Sequence, residues 1–239
     1  MNIAIVCAGG NGERMHTKEN KIFLKIDDKP LIYYTLKMLC EYDSIDRIVV
    51  TTRAEDKAKL GEVIAEYGID KVLSIEDAED TRQESTYKVL MMLKSMDVPD
   101  DSYVLIHNAV NPFVTHSELD ECLSAARRYG ASLLGFEASD TMKVVDEGCF
   151  IDYTPNRSRV WIAQTPQILR FDIALTAFKS AKFSGLLATD DTTLVEAIHE
   201  KVKFVQCSRE NFKITYPQDM ELARRIHTKR VKEKSVWYA

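Results

Sequence analysis

The segment Cys7-Ala8-Gly9-Gly10-Asn11-Gly12-Glu13-Arg14-Met15 gathers the residue types that could cradle an anion. Glycine has no Cβ, so backbone N–H groups there can close on a phosphate or a base. Arg14 ends the glycine run and Lys21 stands seven residues later. Two cations after such a loop suit a triphosphate, whose charges need fixed positive partners. A tight turn carrying ordinary surface charge is the plainer alternative for the same residues. Spacing excludes two familiar nucleotide motifs. A dinucleotide fingerprint beginning at Gly10-Asn11-Gly12 would need Gly or Ala where Met15 stands. A P-loop would need Gly-Lys-Ser/Thr, and the chain has no such triplet. Nucleophilic chemistry has weaker support, because no Ser/His/Asp or Cys/His constellation stands out. Cys7, Cys40, Cys122, Cys149 and Cys207 are scattered and odd in number, and they form no CxxC pair. That pattern points to free thiols in a reducing cytosol and away from zinc. Asp190 and Asp191 pair two carboxylates, but Thr189-Asp190-Asp191 also has the form of a helix N-cap.

These residues need a frame, and the hydrophobic periodicity supplies one. Asn2–Cys7, Arg47–Thr52, Lys71–Ile75, Tyr103–His107 and Ala131–Phe136 read as strands. Leu31–Tyr42, Ala54–Tyr67, Ser85–Met96 and Ser117–Tyr129 carry apolar residues at helical spacing between them. Alternating strands and helices imply a mostly parallel α/β sheet that binds its ligand beyond the carboxyl ends of the strands. The loops after Cys7, Ile75, His107 and Phe136 are the places for chemistry. From Ser139 to about Trp161 the alternation stops. Thr141–Asp146 and Cys149–Tyr153 flank Glu147-Gly148 as a hairpin, an exposed arm of the kind that mediates dimerisation. Helices resume at Phe171–Lys182 and Asp191–His199, with a strand at Lys203–Gln206 and a last helix from Pro217. No linker or repeat marks a boundary, so residues 1–239 read as a single domain with an arm at about 139–160.

Composition narrows the class. The chain has 239 residues, 45% hydrophobic and 29% charged, with a net charge of −5. It is too apolar for disorder and too acidic to coat nucleic acid. No apolar run is long enough to span a membrane, and Met1–Cys7 lacks the basic start of a signal peptide, so a cytoplasmic location is expected. The basic stretch Arg224–Lys234 extends a helix and reads as a solvated face.

Seven motifs, in order along nearly the whole chain, resemble one family. They are Ala8-Gly9-Gly10-Asn11-Gly12-Glu13-Arg14-Met15 with Lys21 and Lys29-Pro30-Leu31; Arg82-Gln83-Glu84-Ser85; His107-Asn108-Ala109-Val110-Asn111-Pro112-Phe113; Asp140-Thr141-Met142-Lys143; Trp161-Ile162-Ala163-Gln164-Thr165-Pro166-Gln167; Thr189-Asp190-Asp191; and Asn211-Phe212-Lys213-Ile214-Thr215. The chain is similar to the nucleotidyltransferases that load CTP onto polyol phosphates, which include the 2-C-methyl-D-erythritol 4-phosphate and ribitol-5-phosphate cytidylyltransferases. The resemblance implies a Rossmann-like, glycosyltransferase-A-like nucleotidyltransferase fold with an inserted β-arm for dimerisation. It implies Arg14, Lys21 and Lys213 as the catalytic clamp on the phosphates. Nucleotide contacts would come from Ala8, Gly9, Gly10, Gly12, Arg82, Ser85 and Asn108, and acceptor contacts from Asn111, Thr141, Arg157 and Thr165. Thr141 and Arg157 would reach into the partner subunit of a homodimer. Mg²⁺ would accompany CTP.

The chain departs from the family pattern at several points. Asn108 replaces a carboxylate, so no protein metal ligand is assigned, and Asn111 stands where relatives carry Arg. Ala78-Glu79 replaces two glycines near the base, and Asn20 replaces a Pro. Pro155-Asn156-Arg157 and Val110 tilt the acceptor toward ribitol 5-phosphate, with 2-C-methyl-D-erythritol 4-phosphate as the alternative. A non-catalytic nucleotide-binding homologue is the alternative from another class.

Overall fold

A computed structural model describes residues 1–15 and 19–237. The chain opens with β1 (Asn2–Cys7), the short pair β2 (Lys25–Ile26) and β3 (Lys29–Pro30), and α1 (Leu31–Glu41). Then follow β4 (Arg47–Thr52), α2 (Lys57–Glu66), β5 (Val72–Asp77), α3 (Arg82–Ser95), β6 (Tyr103–Asn108), α4 (His116–Tyr129) and β7 (Ala131–Glu137). The arm holds β8 (Val144–Val145) and β9 (Ile151–Tyr153). The last elements are β10 (Trp161–Arg170), α5 (Phe171–Ser184), α6 (Asp191–Ala197), β11 (Lys203–Gln206) and α7 (Pro217–Trp237).

Seven strands form one sheet in the order β11-β7-β10-β6-β1-β4-β5. β10 runs antiparallel to both its neighbours, and the other pairings are parallel. Successive side chains of a strand point to opposite faces, and here both faces are covered. Ile3 and Ile5 of β1 pack with Val89 and Leu93 of α3 and Phe171 and Phe178 of α5. Ala4 and Val6 pack on the other face with Leu31 and Leu36 of α1 and Leu119 and Leu123 of α4. The parallel strands therefore read as continuous apolar runs, and β1 and β4 begin and end where periodicity places them.

The starts of α3, α4 and α6 are set by side-chain caps. Thr81 caps α3 in a reciprocal box with Glu84, and Thr115 does the same for α4 with Glu118. The first of these starts α3 at Arg82, three residues before the apolar stripe begins. Asp190 accepts from the Thr193 N–H at 2.9 Å and caps α6, the N-cap form of the Thr189-Asp190-Asp191 motif.

β10 has no counterpart in the periodicity. Its pairing with β7 shifts register between Ala163 and Gln167, and the Thr165–Pro166 bond is cis. Proline is tolerated in a central strand at such a bulge, because the missing N–H donor is then not needed by the ladder. The strand returns the chain from the arm into the sheet beside β6. The arm forms a hairpin, but its strands are shorter than the expected Thr141–Asp146 and Cys149–Tyr153, because Asp146 Oδ1 accepts from the N–H groups of Gly148 and Phe150 at 2.9 Å and widens the turn. Phe150 is 75% exposed, Ile151 61% and Tyr153 59%.

Candidate active site

The carboxyl ends of β1, β5 and β6 open into a cleft of about 510 Å³. Its walls are the glycine loop after β1, residues 78–82 with Ser85 after β5, residues 108–110 after β6, and Lys213 and Thr215 from the segment before α7. The loop after Phe136 leads to the arm instead and contributes none of these residues.

Two glycines are required by the geometry of the loop. A Cβ on Gly9 would overlap the methyl of Ala78, so the two loops touch across the cleft wall. Gly12 has φ +66°, in the left-handed region, and lies against the Lys21 stem. The backbone is anchored by Ala8 N–H to the Thr51 carbonyl and by Ala78 N–H to the Thr52 carbonyl, at 2.8 and 2.7 Å. Both loops thus hang from β4.

Four cations line the cleft: Arg14, Lys21, Arg82 and Lys213. Lys21 is 9% exposed and donates to the Ile214 carbonyl at 3.0 Å. Burial, and then Lys213 and Arg14, bring its pKa down to about 8, with Asp219 pulling the other way. Lys213 is lowered too, first by desolvation and then by Arg82 and Arg14. Arg14 stands 5.5 Å from the centre of the Tyr216 ring. These groups repel one another, and a polyanion would relieve that repulsion.

Arg82 is bonded at 2.5 Å to Asp191, which is wholly enclosed. Burial is the largest influence on the Arg82 pKa and lowers it, yet Asp191 and Cys7 together outweigh it and the net shift is upward. For Asp191 burial dominates and raises the pKa against the pull of Arg82. A guanidinium keeps its proton at any accessible pH, so the 2.5 Å contact is read as an ion pair. Arg82 Nε is buried without a partner. Cys7 lies beside this pair, and burial raises its thiol pKa, which disfavours the thiolate that a nucleophile would need.

Ser85 is 3% exposed, accepts from the Glu79 N–H at 2.9 Å and donates to the Thr81 carbonyl at 2.8 Å. Its hydroxyl sets the shape of the loop after β5. Glu79 is paired with Lys88 at 2.6 Å. Asn20 is buried, caps the turn that carries Lys21 and donates to Asp56 at 2.7 Å. The position that loses a proline therefore gains a bond that holds the clamp.

The expected site residues do not all meet. Arg14, Lys21, Lys213, Ala8, Gly9, Gly10, Gly12, Arg82, Ser85 and Asn108 line one cleft. Asn111 is fully buried and Thr165 is 5% exposed, so both lie behind Asn108 and present no side chain to the cleft. Thr165 accepts from the Asn108 N–H at 3.2 Å and bonds His107 Nδ1 at 2.9 Å. In this structure Asn111 and Thr165 therefore stand behind Asn108 as its supports, and neither belongs to the cleft lining. Thr141 and Arg157 sit on the arm, exposed, and outside the cleft of their own chain. Periodicity and motif reading missed Thr81, Asp191 as the partner of Arg82, and Thr215. Only the first left a signal, the Thr81-x-x-Glu84 capping box.

Among the described residues no group of three or more His, Cys, Asp or Glu converges on a metal position. Glu79 and Asp80 are the cleft's carboxylates, and the first is committed to Lys88. The donor set fits a cation that arrives on a triphosphate and does not fit one caged by protein.

Known proteins agree with this geometry. The family model described as 2-C-methyl-D-erythritol 4-phosphate cytidylyltransferase matches residues 2–229. A 2-C-methyl-D-erythritol 4-phosphate cytidylyltransferase of Desulforamulus reducens is 34% identical over 98% of this chain and 97% of its own. One from Clostridium botulinum (strain Loch Maree) is 38% identical over 94% and 96%. The crystal structure of 4-diphosphocytidyl-2C-methyl-D-erythritol synthase from Anaerococcus prevotii superposes with a TM-score of 0.80 at 27% identity, covering 95% of this chain and 96% of that one. The chain therefore belongs to the 2-C-methyl-D-erythritol 4-phosphate cytidylyltransferase family and is a CTP-dependent nucleotidyltransferase.

Proposed function

We propose that the protein transfers CMP from CTP to 2-C-methyl-D-erythritol 4-phosphate, releasing pyrophosphate. A phosphate oxygen of the acceptor attacks the α-phosphorus of CTP, and the bond from that phosphorus to the bridging oxygen of pyrophosphate breaks. The observation that carries this reading is the four-cation cleft built on the glycine loop, with Lys21 held at a pKa of about 8. In-line transfer needs fixed charge around the phosphoryl oxygens, and the clamp of Lys21, Lys213 and Arg14 offers it without a protein nucleophile. Mg²⁺ bound to the triphosphate would neutralise further charge, and the chain needs no carboxylate cage for it.

The tilt toward ribitol 5-phosphate gives way here. Val110 is 4% exposed and serves mainly the core, and Pro155-Asn156-Arg157 lies on the arm. The relatives named above are methylerythritol-phosphate enzymes. We infer further that the active species is a homodimer, supported by the exposed apolar side chains of the arm and by the absence of Thr141 and Arg157 from the lining of their own cleft. No helix among the described residues is long and apolar enough to cross a membrane.

Pyrophosphate release with Mg²⁺ tests the reading, crossing CTP, UTP, ATP and GTP with 2-C-methyl-D-erythritol 4-phosphate, ribitol 5-phosphate and glycerol 3-phosphate. Release with CTP and the methylerythritol acceptor is expected. Release with ribitol 5-phosphate alone would reverse the acceptor assignment, and silence with bound CTP would favour a non-catalytic role.

A further inference from the structure

Beneath Asn108 runs a chain of amide hydrogen bonds whose direction is fixed from its far end. The backbone carbonyl of Thr165 can only accept, so the Asn211 amide that meets it at 3.0 Å must present Nδ2 there. The same Nδ2 lies 3.7 Å from Cys207 Sγ. Asn211 Oδ1 is then the acceptor facing Asn111, which donates to it from Nδ2 at 3.4 Å and to Gln164 Oε1 at 3.2 Å. That leaves Asn111 Oδ1 for Asn108, whose Nδ2 donates at 3.1 Å. The Asn108 carbonyl oxygen is the amide acceptor left without a partner in this chain, while Nδ2 keeps one N–H beyond the bond to Asn111. Asn111 and Asn211 are both fully enclosed, while Asn108 lines the cleft.

The backbone of the same loop is held with equal definiteness. His107 Nε2 lies 3.0 Å from the Asn111 carbonyl, so Nε2 carries the ring proton. Nδ1 then accepts from the Thr165 hydroxyl at 2.9 Å, and that hydroxyl accepts from the Asn108 N–H. The imidazole is neutral, because burial brings its pKa down to about 4 against the help of the Asn111 carbonyl. Every bond in the network has one possible direction, and no member is charged.

We propose that Asn111 and Asn211 are positioning residues that hold the Asn108 carbonyl toward the cleft, making Asn108 the acceptor for a substrate hydroxyl. This deepens the cytidylyltransferase reading and rests on it. A phosphate oxygen carries no proton to offer that carbonyl. A hydroxyl does, whether on the ribose of the nucleotide or on the polyol. An amide free to turn would offer either end and would discriminate less between a substrate with the hydroxyl and one without it. A site that bonds a hydroxyl rejects the analogue lacking it, because its own polar atom is left unpaired.

The test compares wild type with Asn108→Ala, Asn111→Ala, Asn211→Ala and the Asn108→Ala/Asn111→Ala pair. Dissociation constants are measured for CTP, 2′-deoxy-CTP and 3′-deoxy-CTP, and kcat/KM for the acceptor and its monodeoxy analogues. Wild type is expected to disfavour one analogue by about tenfold or more. Asn111→Ala and Asn211→Ala should bind CTP yet bring that ratio to within about twofold, and the double variant should match Asn108→Ala. A nucleotide analogue that responds assigns the hydroxyl to the ribose, and an acceptor analogue assigns it to the polyol. Asn211→Ala breaks the chain a link farther from the cleft, so the result does not hang on one variant folding. Wild-type discrimination in both variants, or a wild type indifferent to every hydroxyl, would overturn the proposal. Failure of wild type to bind CTP at all would strike the cytidylyltransferase reading, and the proposal with it.

Discussion

Lys21 is buried against the Ile214 carbonyl with Lys213 and Arg14 among its electrostatic neighbours, and its pKa falls from 10.5 to about 8. The fold thus disfavours the charged form. Between pH 8 and 10.5 the unfolded chain binds the proton and the folded one does not, so this residue's cost to stability is full below that window and fades as pH rises through it. A bound triphosphate reverses the shift by pairing the ammonium, so binding of CTP should take up a proton. Calorimetry in buffers of different ionisation enthalpy should show an uptake that is partial at pH 7.5 and approaches one proton by pH 9. Lys21→Ala should lose that increment. Equal uptake in the two proteins would remove Lys21 from the phosphate site. The same variant should lose about 100–1,000-fold in rate if the ammonium stabilises developing charge. A rate within about threefold of wild type would contradict the clamp.

At the scale of elements, α3 and α6 meet through their first residues. Arg82 opens α3 and Asp191 opens α6, joined at 2.5 Å. An arginine at a helix N-terminus opposes the helix dipole, and a carboxylate at the other N-terminus agrees with it. The pair therefore depends on Asp191. Asp191→Asn should leave the half-buried guanidinium without its anion, lowering stability by about 2 kcal/mol. Urea unfolding measures this, and a change below about 0.5 kcal/mol would mean that the guanidinium finds water instead. These two helices also mark what the sequence makes legible. β1 and β4 are apolar runs bounded by polar turns, and β11 is a short run with Phe204 and Val205 between Lys203 and Gln206, so their limits follow from the residue pattern alone. β10 is not legible, because Pro166 and the polar Gln164 and Gln167 break both periodicities, and the strand exists only through β6 and β7 on its flanks. The glycine loop and its cations were readable from spacing, whereas the burial of Asn111 was not. Its partners come from residues 164 and 211, and only the closed sheet brings those segments behind β6.

At the scale of the whole molecule, the cleft has an abundance of charge for phosphates, but the arm residues Thr141 and Arg157 do not belong to its lining. Arg157 donates to the Ser139 carbonyl at 3.2 Å, which keeps the guanidinium at the base of its own arm. Phe150, Ile151 and Tyr153 expose most of their surface on a two-stranded hairpin, which by itself is too small to be stable in water without packing. A partner subunit would cover those side chains and bring Arg157 to a second cleft, where its planar fork suits an acceptor phosphate. Replacing Phe150 and Ile151 together by Asp should then yield a monomer of 27.3 kDa by light scattering, where wild type should show twice that mass. CTP should bind the monomer within about twofold of wild type, since the nucleotide cleft is complete in one chain, while kcat/KM for the acceptor should fall by about a hundredfold or more. Arg157→Ala should reproduce the acceptor defect in a protein that remains dimeric. A monomer with full activity would place acceptor binding within one chain and return the arm to a purely structural role.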